Sequence, residues 1–169
     1  MNKVPKVNLV FWIMKIAATT LGETAGDLLS MTLKVGYATS SMILIGLFLV
    51  ALGTQLKLKQ YHPLLYWTVI LSTSTAGTTM SDYMDRTLGL GYAKGSMLLF
   101  TMLLVVFAVW RVSGYSFSVA QINTLKSELL YWIAILFSNT LGTALGDFWP
   151  TAPVLDLAVE RWSSVVCWQ

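Results

Sequence analysis

The stretch Phe11-Trp12-Ile13-Met14-Lys15-Ile16-Ala17-Ala18-Thr19-Thr20-Leu21-Gly22-Glu23-Thr24-Ala25-Gly26-Asp27 returns twice more along the chain. It aligns without gaps with the stretches that open at Tyr66-Trp67 and Tyr131-Trp132. Eight residues after each Trp stands Thr20, Thr75 or Thr140, and two further on Gly22, Gly77 or Gly142. Small residues follow at Gly26, Ser81 and Gly146, then Asp27, Asp82 and Asp147. The first two copies continue together through Thr32 and Thr87, Gly36-Tyr37 and Gly91-Tyr92, and Met42 and Met97. Polar and apolar identities that recur in register over about 30 residues are the signature of a repeat architecture.

The solvent of that repeat follows from composition. Of 169 residues, 56% are hydrophobic and only 11% charged, and the mean hydropathy is +0.67. A soluble domain carries about 25% charged residues, so there is too little charge here to coat a surface in water. A bilayer is crossed by about 20 mostly apolar residues in a helix. Five segments meet that demand, at 7–29, 36–56, 63–84, 90–110 and 129–148. The first apolar run is too long for a signal peptide's apolar region and is expected to stay as a spanning helix. The net charge of +3 is spread over Lys and Arg that form no patch or stripe, which argues against nucleic acid as a partner. One cysteine, Cys167, and one histidine, His62, exclude a disulfide framework and a Cys/His metal cage. No cofactor motif and no nucleophile–base arrangement is present, so no enzymatic activity is expected.

The expected fold is therefore an all-α integral membrane protein with about five transmembrane helices, built from tandem parallel helical-hairpin repeats. The repeats cover about 11–57, 66–111 and 131–148 of a transmembrane domain over 1–148. A hairpin holds an even number of spans, so equivalent helices run in the same direction about an axis along the membrane normal. The three Asp residues then share one depth. Lys3, Lys6, Lys57, Lys59, Arg111 and Lys126 fall on one side and Lys34, Arg86 and Lys94 on the other, which places the N-terminus in the cytoplasm.

Gly22 with Gly26, Gly77 with Ser81, and Gly142 with Gly146 are small-x-x-x-small pairs, which let two helix backbones approach closely. Packing explains them; unwound points that expose carbonyls to an ion are the alternative. Glu23 and Asp27 are four apart and Asp82 and Asp85 three apart, so each pair is expected on one helix face. Carboxylates within spans mark ion pathways or proton relays, unless a shallow depth leaves them as a wet ring at the headgroups. Lys15 is expected to snorkel toward the cytoplasmic face, the sharper alternative being a bundle-facing Lys15 that neutralises a carboxylate of another helix. The Trp and Tyr residues are expected mostly as interfacial anchors.

After Phe148 the third copy stops matching. With free choice of synonymous codons, a one-base shift over 149–164 can read Gly-Leu-Gly-Phe where the second copy has Gly89 to Tyr92. This gives the expectation that 149–169 is an aberrant, frameshifted tail, and that the repeat domain is truncated. A native amphipathic segment over 154–166 is the alternative.

The constellation from Lys15-Ile16 through Thr19-Thr20-Leu21-Gly22-Glu23-Thr24 to Gly26-Asp27, with Gly36-Tyr37 after it, resembles a bacterial family of uncharacterised multi-pass membrane proteins with repeated Thr-x-Gly-x-x-x-Gly-Asp helices. The likeness covers about residues 4–148. It implies a multi-pass protein of the bacterial inner membrane and a longer relative with a fourth repeat, and it implies no activity. The function expected from the residues themselves is a transporter or channel for an inorganic cation or a proton-coupled substrate. Glu23, Asp27, Asp82, Asp85 and Asp147 would supply oxygens, with Thr20, Thr75 and Thr140 as neutral ligands; which metal, if any, they would take is left open. The alternative is a membrane scaffold or assembly protein in which the same motif is packing glue. A homo-oligomer fits either.

Overall fold

The computed structural model describes residues 4–58, 60–115 and 124–151. Among them the chain is entirely helical: α1 (Leu9–Asp27), a π-helical turn over Leu28–Thr32, α2 (Tyr37–Lys57), α3 (Pro63–Asp82), a second π-helical turn over Tyr83–Thr87, α4 (Tyr92–Val112) and α5 (Leu125–Thr151). The proposed tail beyond 151, the amphipathic alternative over 154–166, Cys167, Lys3, Lys59 and most of the polar stretch before α5 lie outside the described residues.

Local chemistry sets the helix ends. The Asn8 side chain accepts a hydrogen bond from the Phe11 N–H at 2.9 Å, an N-cap for α1. Pro63 opens α3, where its missing N–H costs nothing. Thr124 Oγ1 accepts from the Ser127 N–H at 3.2 Å, and this cap starts α5 at Leu125, one turn before the expected boundary.

The two matched halves repeat their backbone as well as their sequence. Directly after Asp27 and Asp82 the helix widens into a π-turn. Leu33 N–H then donates to the Leu28 carbonyl at 2.8 Å, and Leu88 N–H to the Tyr83 carbonyl at 2.9 Å. Gly36 N–H reaches the Ser30 carbonyl, and Gly91 N–H the Asp85 carbonyl, both at 3.3 Å. Gly36 and Gly91 have φ of 87° and 74°, a region that side-chain-bearing residues avoid. The recurring Gly-Tyr is thus the hinge between a π-turn and the next helix.

Among the described residues three helices are long and apolar enough to cross a membrane: Tyr37–Lys57, Tyr92–Val112 and the Leu125–Trp149 part of α5. The Thr, Ser, Gly and Asp of their second halves keep α1 and α3 below that measure. The bundle shelters α3. Its residues 72–79 are all buried; most of their hydroxyls bond back to their own helix, as Thr73 to the Ile70 carbonyl at 2.7 Å and Thr75 to the Leu71 carbonyl at 2.8 Å, while Ser74 Oγ donates across to the Thr19 carbonyl of α1 at 3.0 Å. That back-bonding satisfies the hydroxyls without water. The outside is apolar, with Leu9, Val10, Ile13 and Ile16 of α1, Met42 and Val50 of α2, and Met97 and Val105 of α4 all exposed.

α3 packs against α1, α2 and α5, and α4 against α5. Contacts along α1, α3 and α5 advance in step, so the three helices run side by side in one direction. Phe11 meets Trp67 and Gly22 meets Ser74; Tyr66 meets Tyr131, Gly77 meets Thr140 and Thr78 meets Thr143. The aromatic pair that opens each copy is therefore largely core rather than interfacial anchor. Tyr66 is 0% and Trp132 1% exposed, and the Tyr66 and Tyr131 hydroxyls bond at 2.7 Å. Trp12, on the outer helix, is exposed.

The glycines set the helix spacing. A Cβ on Gly22 would lie 2.6 Å from Ser74 Cβ, and one on Gly77 3.0 Å from the Thr140 backbone nitrogen. Gly46 has open space around its Cβ position. Gly22→Val should therefore lower stability by about 1–3 kcal/mol through overpacking, whereas Gly46→Ala should raise it by up to about 1 kcal/mol through helix propensity. Thermal unfolding in detergent would check the opposite signs.

Candidate functional site

One cavity of about 170 Å³ lies where α1, α3 and α5 meet. α1 lines it with Glu23 and Asp27, and α3 with Thr78 and Asp82. α5 contributes Gly142, Thr143, Gly146 and Asp147, and Met31 and Arg86 close it from the two π-turns. The lining follows the repeat. Glu23, Thr78 and Thr143 stand eleven residues after their Trp, and Asp27, Asp82 and Asp147 fifteen. Three copies of one helix, packed in parallel, turn the same two positions to a common space.

Arg86 is the cation of this space, and sequence reasoning placed it among loop charges. Its Nε lies 3.2 Å from Asp82 Oδ1 and its Nη2 3.4 Å from Asp147 Oδ2. Its Nη1 donates to the Tyr37 hydroxyl at 2.9 Å, with the guanidinium 5.7 Å from the Tyr37 ring centroid. Asp82 is 1% exposed. Its Oδ1 contact to Arg86 is an ion pair without hydrogen-bond alignment, and its Oδ2 has no hydrogen-bond partner among the described residues. The cavity carries four carboxyl groups against one guanidinium. The sequence signal for Arg86 was its four-residue spacing from Asp82, which the π-turn beneath it preserves as a contact.

The same π-turn separates Asp85 from its expected place. Helix-face pairing at three residues assumes α geometry, and the wider turn from Tyr83 carries Asp85 away from the cavity, to a buried position against Gly95 of α4. The threonines expected as ligands are also elsewhere. Thr20 is exposed, and Thr75 and Thr140 are buried with their hydroxyls on the Leu71 and Leu136 carbonyls. The cavity hydroxyls are instead Thr78 and Thr143, which lie 3.3 Å apart. Gly22, Gly26 and Gly77 are packing residues, each in close contact with the next repeated helix, and Ser81 is fully buried. Gly142 and Gly146 have nothing near their Cβ positions.

Below the cavity a polar node replaces the expected snorkelling lysine. Lys15 turns inward, and its Nζ donates to Asn139 Oδ1 at 3.1 Å; Asn139 Nδ2 donates to Thr73 Oγ1 at 2.9 Å. Its partner is an amide of another helix and not a carboxylate. Snorkelling requires a free path to the interface, and Lys15 instead faces α5, where Asn139 offers a nearer oxygen.

Among the described residues no three His, Cys, Asp or Glu side chains converge as a set able to hold a metal ion directly. The cavity is nevertheless wide enough for several waters, at roughly 30 Å³ each. It can thus hold a cation through its hydration shell, with the carboxylates as outer partners.

The profile of a family described as Repeat of Unknown Function (DUF347) matches the chain twice, over residues 10–61 and 65–115. The chain belongs to this family. Its two matched stretches contain α1 with α2 and α3 with α4, and α5 falls outside them. No curated protein and no solved structure matches the chain.

Removing Arg86 strands a buried carboxylate. Loss of one partner from a buried pair costs about 3–5 kcal/mol. The Arg86 side chain is 35% exposed, and solvent screening reduces the effect to about 1–2 kcal/mol. Arg86→Gln should therefore lower thermal stability, and adding Asp82→Asn should restore part of it. A double-mutant cycle in detergent measures the coupling; strictly additive losses would show that the pair carries none.

Proposed function

We propose, from the premise that the DUF347 unit recurs along this chain, that the protein is a multi-pass membrane protein that binds a hydrated cation in its acidic cavity and conducts or transports it. The carrying observation is the excess of carboxylate among the described residues that line the cavity: Glu23, Asp27, Asp82 and Asp147 from three helices, with Arg86 the one cation among those lining residues. Packing alone has no use for that excess, because acids within a low-dielectric bundle are costly unless they serve a site. Hard oxygen groups around a water-sized space suit Mg²⁺, Mn²⁺ or Ca²⁺ with waters retained, as Mg²⁺ in particular prefers. We read the two matched stretches and α5 as tandem helical hairpins about an axis along the membrane normal, in a bacterial inner membrane with the N-terminus inside. The role is binding and passage of an ion and involves no covalent chemistry.

A scaffold reading is favoured by one observation, the tight seating of Gly22 and Gly77 on the next helix. It accounts for the glycines and leaves the cavity acids without a role. The two readings part when Asp27, Asp82 and Asp147 are each changed to Asn. Cellular Mg²⁺ and Mn²⁺ content and tolerance, measured beside protein abundance, should show a cation effect that falls by roughly tenfold per variant, the equivalent of about 1.4 kcal/mol, at normal abundance. Reduced abundance with unchanged metal handling would instead establish the scaffold.

A further inference from the structure

Each repeated helix has two complementary faces. One carries the small residues and seats on the next copy. Gly22 lies on Ser74, and Gly77 on Thr140. The other face, with hydroxyl and amide groups seven and eight residues after the Trp, receives the previous copy. Among the described residues the series runs from α1 to α3 to α5 and leaves both ends open. Among the described residues, the small face of α5, Gly142 and Gly146, has nothing within 4 Å of its Cβ positions, whereas a Cβ at Gly22 or Gly26 would meet α3. At the other end, Thr20 of α1 is exposed while its equivalents Thr75 and Thr140 are buried.

The open face is also the open wall of the cavity. Gly142 and Gly146 line that space, while their counterparts Gly22, Gly26 and Gly77 are covered. Asp82, 1% exposed and lining the same space, has an Oδ2 with no hydrogen-bond partner among the described residues. A buried carboxylate oxygen without a protein donor calls for a water or a cation, which this space retains only when its open wall is closed.

We propose that a second copy of the chain seats the Thr20 face of its α1 on the Gly142 and Gly146 face of α5. The contact continues the interface already made twice inside the chain, and it is head-to-tail, since the two faces are different surfaces. A head-to-tail contact gives a closed assembly when its rotation closes. Two copies about a twofold axis make it twice, α5 of each on α1 of the other, around one shared cavity. By the register of the repeat, the partner subunit's Glu23 and the partner subunit's Asp27 then complete the wall that α5 leaves open. The proposal holds whatever the cavity binds.

Cysteine cross-linking tests it in full-length protein with Cys167→Ser as background. Two differently tagged chains, one with Thr20→Cys and one with Gly142→Cys, are co-expressed in membranes and oxidised. The expected result is a mixed, reducible dimer carrying both tags, with no dimer from either variant alone. Gly142→Leu, whose Cβ meets nothing among the described residues, should keep normal abundance and thermal stability yet run as a monomer in native mass measurement in detergent, where the parent runs as a dimer. A monomeric parent, a Gly142→Cys chain that cross-links only to another protein, or a Gly142→Leu variant that stays dimeric would overturn the proposal. Cation binding by the Asn variants is a separate readout, so failure here and failure of the cation reading are distinguishable.

Discussion

The structure depends on how closely one repeated helix can approach the next. At Gly22 against Ser74 and at Gly77 against Thr140 the helices are near enough that a single added methyl would collide. With spacing and register fixed there, the positions one and five residues further along are carried to the same space. That is how Glu23, Thr78 and Thr143, and above them Asp27, Asp82 and Asp147, line one cavity. Small residues make such approach possible between helices that gain nothing from hydrophobic exclusion. The same constraint explains the polar centre of α3, whose small hydroxyl residues bond mostly to their own backbone and reach both neighbours, Ser74 to the Thr19 carbonyl of α1 and Thr73 and Thr78 to Asn139 and Thr143 of α5.

Two cationic side chains are anchored within that frame by local partners. Arg86 gathers Asp82, Asp147 and Tyr37, and so ties α3 to α5 and α2 at the level of the π-turns. Lys15, further down α1, is held by Asn139, which in turn holds Thr73. Asn139 and Ser74 are equivalent positions, and the replacement of a hydroxyl by an amide gives α5 the reach to meet a lysine. The repeat supplies the geometry; single departures from it, Lys15, Arg86 and Asn139, supply the specific interactions.

The helices and their order were legible in the sequence because the repeat fixes register without any reference to partners. The cavity was legible in part. Asp27, Asp82 and Asp147 were recognisable because they recur, and Glu23 because it sits one turn from Asp27. Thr20, Thr75 and Thr140 recur equally well but mark the receiving face, and recurrence alone does not tell which face of a helix looks inward. Asp85 was hidden by the π-turn, since a face assignment from three-residue spacing assumes an unbroken α-helix. Arg86 keeps its four-residue contact with Asp82 but was counted with loop charges because it falls beyond the expected end of the span at residue 84. Snorkelling is what an isolated helix would give Lys15, and Asn139, 124 residues away in sequence, had no visible connection to it.

The central claim is that the repeat builds a space where a cation is held through water by acids of three helices. Mn²⁺ is a direct probe, because the relaxation of solvent protons reports both its binding and the waters it keeps. Purified protein in detergent should bind Mn²⁺ with enhanced proton relaxation, and the combined Asp27→Asn, Asp82→Asn and Asp147→Asn variant, folded to the same thermal stability, should lose that binding. Equal Mn²⁺ binding by parent and variant, or none by the folded parent, would contradict it.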